Sequence, residues 1–178
     1  KHGLTDAEVD MLRVVDNVAG VSPSLNATVA ASRNGTWSDA ISVQGYDSEY
    51  FRHNPDLLAR GRAVNAIDVA QALRVCLVDG DAAKTLFYGE DPVGQTVYLS
   101  GIEHTVVGVI DEEENANLFA QILLGGHVDG TVYMPYTAAK KLTGTSTVST
   151  LEIYLENTDL TDETIEEMEV VLDGIFNY

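Results

Sequence analysis

The chain offers few residues that could do chemistry. Its one cysteine, Cys76, lies in Arg74-Val75-Cys76-Leu77-Val78. A catalytic thiol needs a cationic or basic neighbour to hold the thiolate. Arg74 is the nearest candidate, and it shares a face with Cys76 only if the run is extended. Between Val75 and Leu77, Cys76 reads instead as a small buried hydrophobe. A single cysteine also gives no intrachain disulfide and no C-x-x-C metal signature. The histidines His2, His53, His104 and His127 are scattered, and none stands at a ligand spacing such as H-x-x-x-H. His104 falls within a hairpin strand and reads as a strand residue.

Acidic clusters are the next possibility. Asp111-Glu112-Glu113-Glu114 is the densest. Hard cations take oxygen ligands, but a calcium loop spaces its carboxylates and places a glycine for the turn. Four consecutive acids cannot all point at one ion, so this run reads as a solvated loop. A pair of carboxylates for glycoside cleavage cannot be singled out among 28 acids. No G-x-S-x-G elbow occurs. The sequence therefore assigns no catalytic residue, no cofactor-binding residue, no metal ligand and no cofactor, and the expectation is a protein that is not an enzyme.

Gly89-Glu90-Asp91-Pro92-Val93-Gly94-Gln95-Thr96 matches the phosphate-loop spacing G-x-x-x-x-G-K-[ST], except that Gln95 stands where the lysine belongs. The lysine supplies the charge that meets the β- and γ-phosphates, and Gln95 is neutral. Glu90 and Asp91 would repel the ligand, and Pro92 removes one N–H from the cradle. The motif must also precede a helix, whereas Thr96 to Leu99 alternates as a strand. The run is expected to be a structural turn.

Charge narrows the function further. The 178 residues hold 28 Asp+Glu and 10 Lys+Arg, a formal net charge of -18. That excess repels phosphate backbones, which argues against nucleic-acid binding, and it disfavours docking on an anionic membrane. The imbalance is uneven: residues 1 to 101 carry a net -5, and residues 102 to 178 a net -13. Hydrophobic residues make up 45 %, ordinary for a folded domain. No apolar run approaches 18 residues, so no membrane span is expected. Lys1-His2-Gly3-Leu4 leads straight into a helix signal, with no secretory leader expected.

The elements that must position these residues are mixed. Thr5 with Glu8 is a capping box, and Leu4 with Val9 a hydrophobic staple. Val9, Leu12, Val15 and Val18 then form one apolar face, with Gly20 as the expected stop. Leu25 to Ala31 reads as a strand, Asn34-Gly35 as a hairpin turn, and Trp37 to Val43 as the return. Short helical turns are expected at 46–52 and 56–59, then a buried strand from Leu73 to Val78. Asp79 or Asp81 caps a helix from Ala82 to Phe87. Gln95 to Leu99 and His104 to Ile110 form a hairpin around Ser100-Gly101. Residues 111 to 130 read as a long excursion. A strand at 131–134, a helix from Tyr136 to Leu142, and a strand at 151–155 follow. The last helix, about 162–176, is expected to be capped by Thr161 and stapled by Leu160 with Ile165.

Several stretches carry a resemblance. They are Val21-Ser22-Pro23, Val43-Gln44-Gly45 with Tyr50, and Leu58-Ala59-Arg60-Gly61-Arg62. Ala82-Ala83-Lys84-Thr85-Leu86-Phe87 then runs into Gly89 to Val97, followed by Gly101, Thr105-Val106-Val107-Gly108-Val109 and Val132-Tyr133-Met134-Pro135 with Ala138. In order and spacing they resemble the extracytoplasmic (periplasmic core) domain of the MacB/FtsX-like ABC transporter permeases, over nearly the whole chain. The stretch from Leu86 to Val109 is the most specific.

The resemblance implies an α+β fold in two parts. A porter-like part with βαβ elements comes from both chain ends, at 1–45 and 106–178, and a hairpin-rich, sabre-like part is inserted at 46–105. It implies a non-catalytic domain anchored by membrane spans on the extracytoplasmic face of a bacterial cell membrane. There it would work with a second permease subunit and a separate ATPase, and pass ATP-driven conformational change to an exported substrate or envelope partner. The family carries a strand before the first helix, where this chain has only Lys1 to Leu4. The charge leaves one alternative, a secreted or surface acidic module that binds a cation, a basic peptide or a sugar.

Overall fold

The computed structural model describes residues 3–111 and 128–176, with side chains to 174. Helix α1 (Asp6–Arg13) starts at Thr5, whose hydroxyl accepts the Glu8 N–H at 3.4 Å. Leu4 packs into the same apolar cluster as Val9 and Leu12. The helix ends well before Gly20. Asn17 takes a left-handed turn (φ 70°), and strand β1 (Val18–Arg33) begins at once. Gly20 thus lies inside a strand, buried against the Glu49 carboxylate.

At 16 residues β1 is the longest described strand. Its first half, Val18 to Ser24, pairs antiparallel with β8 (Thr150–Leu155). Its second half, from Leu25, pairs with β2 (Thr36–Tyr46) across the Asn34-Gly35 turn. Both turn residues have positive φ (49° and 84°), as a primed two-residue hairpin requires.

The remaining strands are β3 (Leu58–Gly61), β4 (Val75–Val78), β5 (Thr96–Leu99), β6 (Ile102–Ile110) and β7 (Gly130–Pro135). Pairing runs β2–β7–β4–β6–β5–β1, and β1 pairs again with β2. The hydrogen-bonded path therefore closes into a ring. Strand β3 adds to β6 outside it, and β8 extends β1 beyond it. The β2–β7 and β4–β6 contacts are parallel and the others antiparallel. Ring closure leaves fewer free edges to pair with other chains.

Helix α4 (Gly80–Phe87) packs on the ring. Its N-cap is Asp79, not Asp81: the Asp79 carboxylate accepts the N–H groups of Ala82 at 2.8 Å and Thr131 at 3.0 Å. Ala82, Leu86 and Phe87 join Ile41, Val43, Val78, Val97, Leu99, Val106, Val132 and Met134 in the main core. Every residue of β7 is buried.

Helix α2 (Ser48–His53) and a 3-10 turn (Pro55–Leu57) lead into β3, where the sequence read only a turn. Four exposed or half-exposed residues become a strand because β6 offers a paired edge. Helix α3 (Ala66–Ala70) was not expected. Its signal was present in Asn65 and Asp68, which form a reciprocal capping box at 2.9 Å each way. Strand β4 starts at Val75, two residues later than read. Helix α5 (Tyr136–Thr143) ends on Gly144, as its sequence indicates.

A second apolar cluster joins α1, the start of β1, β8 and the last helix, α6 (Thr161–Phe176). Thr161 is not the cap of α6. It already has helical dihedrals and its hydroxyl donates to the Thr158 carbonyl, because a 3-10 turn (Thr158–Leu160) capped by Asn157 precedes it. Leu160 and Ile165, read as a staple, stay exposed. Among the described residues no helix is long and apolar enough to cross a membrane.

Gly130 tests the packing of α4 on the ring. A Cβ there would stand 2.4 Å from the Ala82 backbone, where nothing flexible can yield. Gly130→Ala is expected to lower unfolding free energy by at least about 2 kcal/mol in urea titration. An unchanged midpoint would mean that α4 is free to shift.

Candidate functional site

Each described chemistry-bearing residue has a structural occupation. Cys76 is fully buried in β4, and burial pushes its thiol up to about 12, the reverse of an activated cysteine. Arg74 lies outside β4 and is exposed. His104 is buried in β6 with Nδ1 2.8 Å from the Ile102 carbonyl. Burial holds its pKa below 6.5, and Arg74 adds to the effect. His53 stacks flat on Tyr154 (3.7 Å between centroids), with Nε2 3.3 Å from the Glu49 carboxylate. Asp111 is exposed and donates its N–H to the Leu57 carbonyl. Glu112, Glu113, Glu114, His127 and His2 lie outside the described residues. Among the described residues no three His, Cys, Asp or Glu side chains come together to hold a metal ion.

The loop from Gly89 to Thr96 is a pinned turn. β5 begins at Thr96, so no helix follows it. The Gly94 N–H donates to the Val106 carbonyl at 2.8 Å and the Val93 N–H to the Asp91 carboxylate at 3.1 Å, so these amides are not free for an anion. Arg33 reaches across from β1 to Glu90 (2.6 Å) and to the Gln95 side chain, with its guanidinium 4.6 Å above the Phe87 ring. Arg60 pairs with Asp91 at 3.1 Å. The acids that spoil a phosphate site are the ones that fasten the turn.

The other recurring stretches are joints too. Val21 is buried against α1 and α6 while Ser22 and Pro23 pair with β8. Tyr50 stacks on Tyr46 at 3.9 Å, and Tyr46 on Tyr133 at 5.9 Å, tying α2 to β7. Arg62 bonds the buried Asp68 at 2.7 Å.

What these joints position is a seam where the chain-end layer meets the ring. α1 is clamped near both ends. Asp6 takes Lys140 of α5 at 2.8 Å and accepts the Tyr136 hydroxyl at 3.4 Å. Arg13 bonds Asp47, the N-cap of α2, at 3.2 Å, and also Asp10. Burial, with the Asp6 and Asp47 carboxylates nearby, raises the Tyr136 phenol above its ordinary value, so it stays a neutral donor. α2 closes the other side, with His53 on Tyr154 and Glu49 beside Gly20. Sequence reasoning missed this seam because its pairs are as distant as Asp6 with Lys140. The arrangement ties the chain-end helices to the ring through ion pairs, a phenol and stacked rings.

A ring whose first strand runs on into a two-helix layer at the chain ends defines the class. The chain matches the model of the MacB-like periplasmic core domain over residues 1–171, and it belongs to that family. Among its relatives is the macrolide export ATP-binding/permease protein MacB of Sodalis glossinidius (strain morsitans), 35 % identical over 123 residues, 67 % of this chain and 18 % of that protein. MacB 2 of Yersinia pestis bv. Antiqua (strain Antiqua) is 25 % identical over 154 residues, 85 % of this chain and 22 % of that protein. The chain thus spans about a fifth of these curated relatives. The fold matches the periplasmic region of MacB from Actinobacillus actinomycetemcomitans with a TM-score of 0.80, at 21 % identity, covering 98 % of this chain and 76 % of that one. It also matches the extracellular domain of the noncanonic ABC-type transporter YknZ from Gram-positive bacteria, TM-score 0.75 at 23 % identity, over 91 % and 78 %.

His104 gives this packing a pH dependence. Its folded pKa lies below the unfolded 6.5, so the unfolded chain takes up the proton first as pH falls. The stability it contributes is full above 6.5 and is lost on acidification below that value. Urea midpoints at pH 7.5 and 5.5 should fall further apart in the parent than in His104→Gln; equal differences would remove His104 from the acid response.

Proposed function

We propose that this chain is the non-catalytic extracytoplasmic domain of an ABC transporter permease. It works outside the bacterial cell membrane, with a second permease copy and an ATPase, and passes ATP-driven conformational change to exported substrate or envelope partners. The observation that carries the reading is β1, one continuous strand shared by two layers. A rigid strand crossing a boundary moves both sides together, which is what a transmitting element requires. The clamps at Asp6–Lys140 and Arg13–Asp47 support the same view.

The reading includes a two-part organisation. The porter-like part is taken at 1–45 and 106–178, and the sabre-like part at 46–105. Between the permease domain and the acidic binding module, the permease domain is favoured because the family match covers residues 1–171.

The test uses the full transporter in nanodiscs, with Glu167→Cys in both permease copies. Glu167 is exposed on α6, and the buried Cys76 stays unlabelled. Spin-label distances between the copies are expected to change when ATP and vanadate trap the nucleotide state. Identical distances in both states, with ATP hydrolysis intact, would overturn the proposal.

A further inference from the structure

Four large apolar side chains stay exposed at one end of the ring: Trp37 (65 %), Tyr88 (74 %), Tyr98 (42 %) and Ile102 (36 %). Register brings two of them, Trp37 and Tyr98, onto one face. Ser32 of β1 is paired with Trp37 on β2 and with Tyr98 on β5, and Tyr98 is paired with Glu103 on β6. Directly paired residues project to the same side of a sheet. Ala31, Ser38 and Leu99, one step along, are buried, so Trp37, Ser32, Tyr98 and Glu103 form an outward row. Strands lie ~4.8 Å apart, which sets the two rings roughly 10 Å from each other.

Tyr88 flanks this row. It closes α4 in the left-handed region (φ 49°), where Gly or Asn is the low-cost residue. It buries little surface to offset that cost; the Thr36 hydroxyl donates to its hydroxyl at 3.4 Å. A bulky residue in this conformation with an exposed ring points to use at the surface.

Charge selects the occupant. Asp39, two residues beyond Trp37, and Glu103 are both exposed. Arg33, the neighbouring base on β1, is turned away over Phe87 and engaged by Glu90 and Gln95. The faces of aromatic rings attract cations, and guanidinium planes stack on them. Rings flanked by carboxylates complement a basic ligand. A second copy of the chain is disfavoured, since each carries -18.

We propose that this face of β2, β1 and β5 docks an extended, arginine- or lysine-bearing segment of a partner protein. Basic side chains would lie over Trp37 and Tyr98 and pair with Asp39 and Glu103. The inference goes beyond the transport reading and does not depend on it.

Trp37 is the chain's one tryptophan, so its emission reports on this face directly. Titrating the 178-residue chain with a hexa-arginine peptide should give a saturable change in Trp37 emission that weakens as salt rises. Tyr98→Ala, and separately Asp39→Asn with Glu103→Gln, should each weaken apparent affinity about fivefold or more. Glu166→Gln with Glu167→Gln on α6 should leave it unchanged. Calorimetry with Trp37→Ala should show a similar loss, and unfolding midpoints should confirm that these surface variants stay folded. The proposal is overturned if the emission does not respond. It is equally overturned if peptide binds with the same affinity to Trp37→Ala and Tyr98→Ala, which would mean capture by acids elsewhere. A response to chitotetraose but not to peptide would assign the face to a glycan. A Trp37-dependent dimer in sedimentation would assign it to a second copy.

Discussion

One strand has to satisfy two layers. Over 16 residues β1 pairs with β8, then with β2, and near its end with β5 as well. Side chains in a strand alternate between faces, so a one-residue slip would turn every inward residue outward. In β1 such a slip would take Val21 out of one apolar cluster and Leu25 and Ala31 out of the other, breaking two cores at once. The pairing with β2 is kept through an irregularity between Val29 and Ala31, where β2 holds one extra residue between Ser38 and Ile41. Ring closure depends on this, because only the final residues of β1 reach β5.

The scarcity of bases explains where the ion pairs lie. The chain has 10 bases against 28 acids, and Arg13, Arg33, Arg60, Arg62 and Lys140 all hold acids at junctions between elements. An exposed pair such as Arg60–Asp91 contributes about 0–1 kcal/mol and adds little to total stability. The effect of these contacts is to choose the geometry in which neighbouring elements meet. Arg33 is an enclosed example, with its charge on Glu90, its plane over Phe87 and a further bond to Gln95. A motif that looks like a failed phosphate loop is thereby a fastened corner.

Local signals were legible wherever the physics is local. Asn34-Gly35, the Thr5 cap, Asp79 before α4 and Gly144 after α5 all act within a few residues, and each stands where its residue type indicates. Non-local physics was hidden. β3 exists because β6 lends it an edge, and residues 18–24 are strand because β8 lies far along the chain. Thr161 lost its capping role to Asn157, since a tighter turn formed first. The seam at Asp6, Arg13, Asp47 and Lys140 could not be read because spacing along the chain says nothing about ends that meet.

The acidic surplus has a separate logic. On α6, Asp162, Glu163, Glu166, Glu167, Glu169 and Asp173 are all exposed, and the helix holds no base. The first acids suit the positive end of the helix dipole, but Asp173 and the like-charge neighbours three and four apart each cost a few tenths of a kcal/mol. Helix stability therefore does not account for them. The buried face of α6, through Thr164 and Met168, is what holds it to α1 and β8. The outer face is free to serve as a repulsive coat. Under the proposed reading, such a coat would oppose collapse of the domain onto anionic lipid. It also leaves the aromatic row around Trp37, at the far end of β1 from its contact with β8, as the apolar surface on which a basic partner would settle.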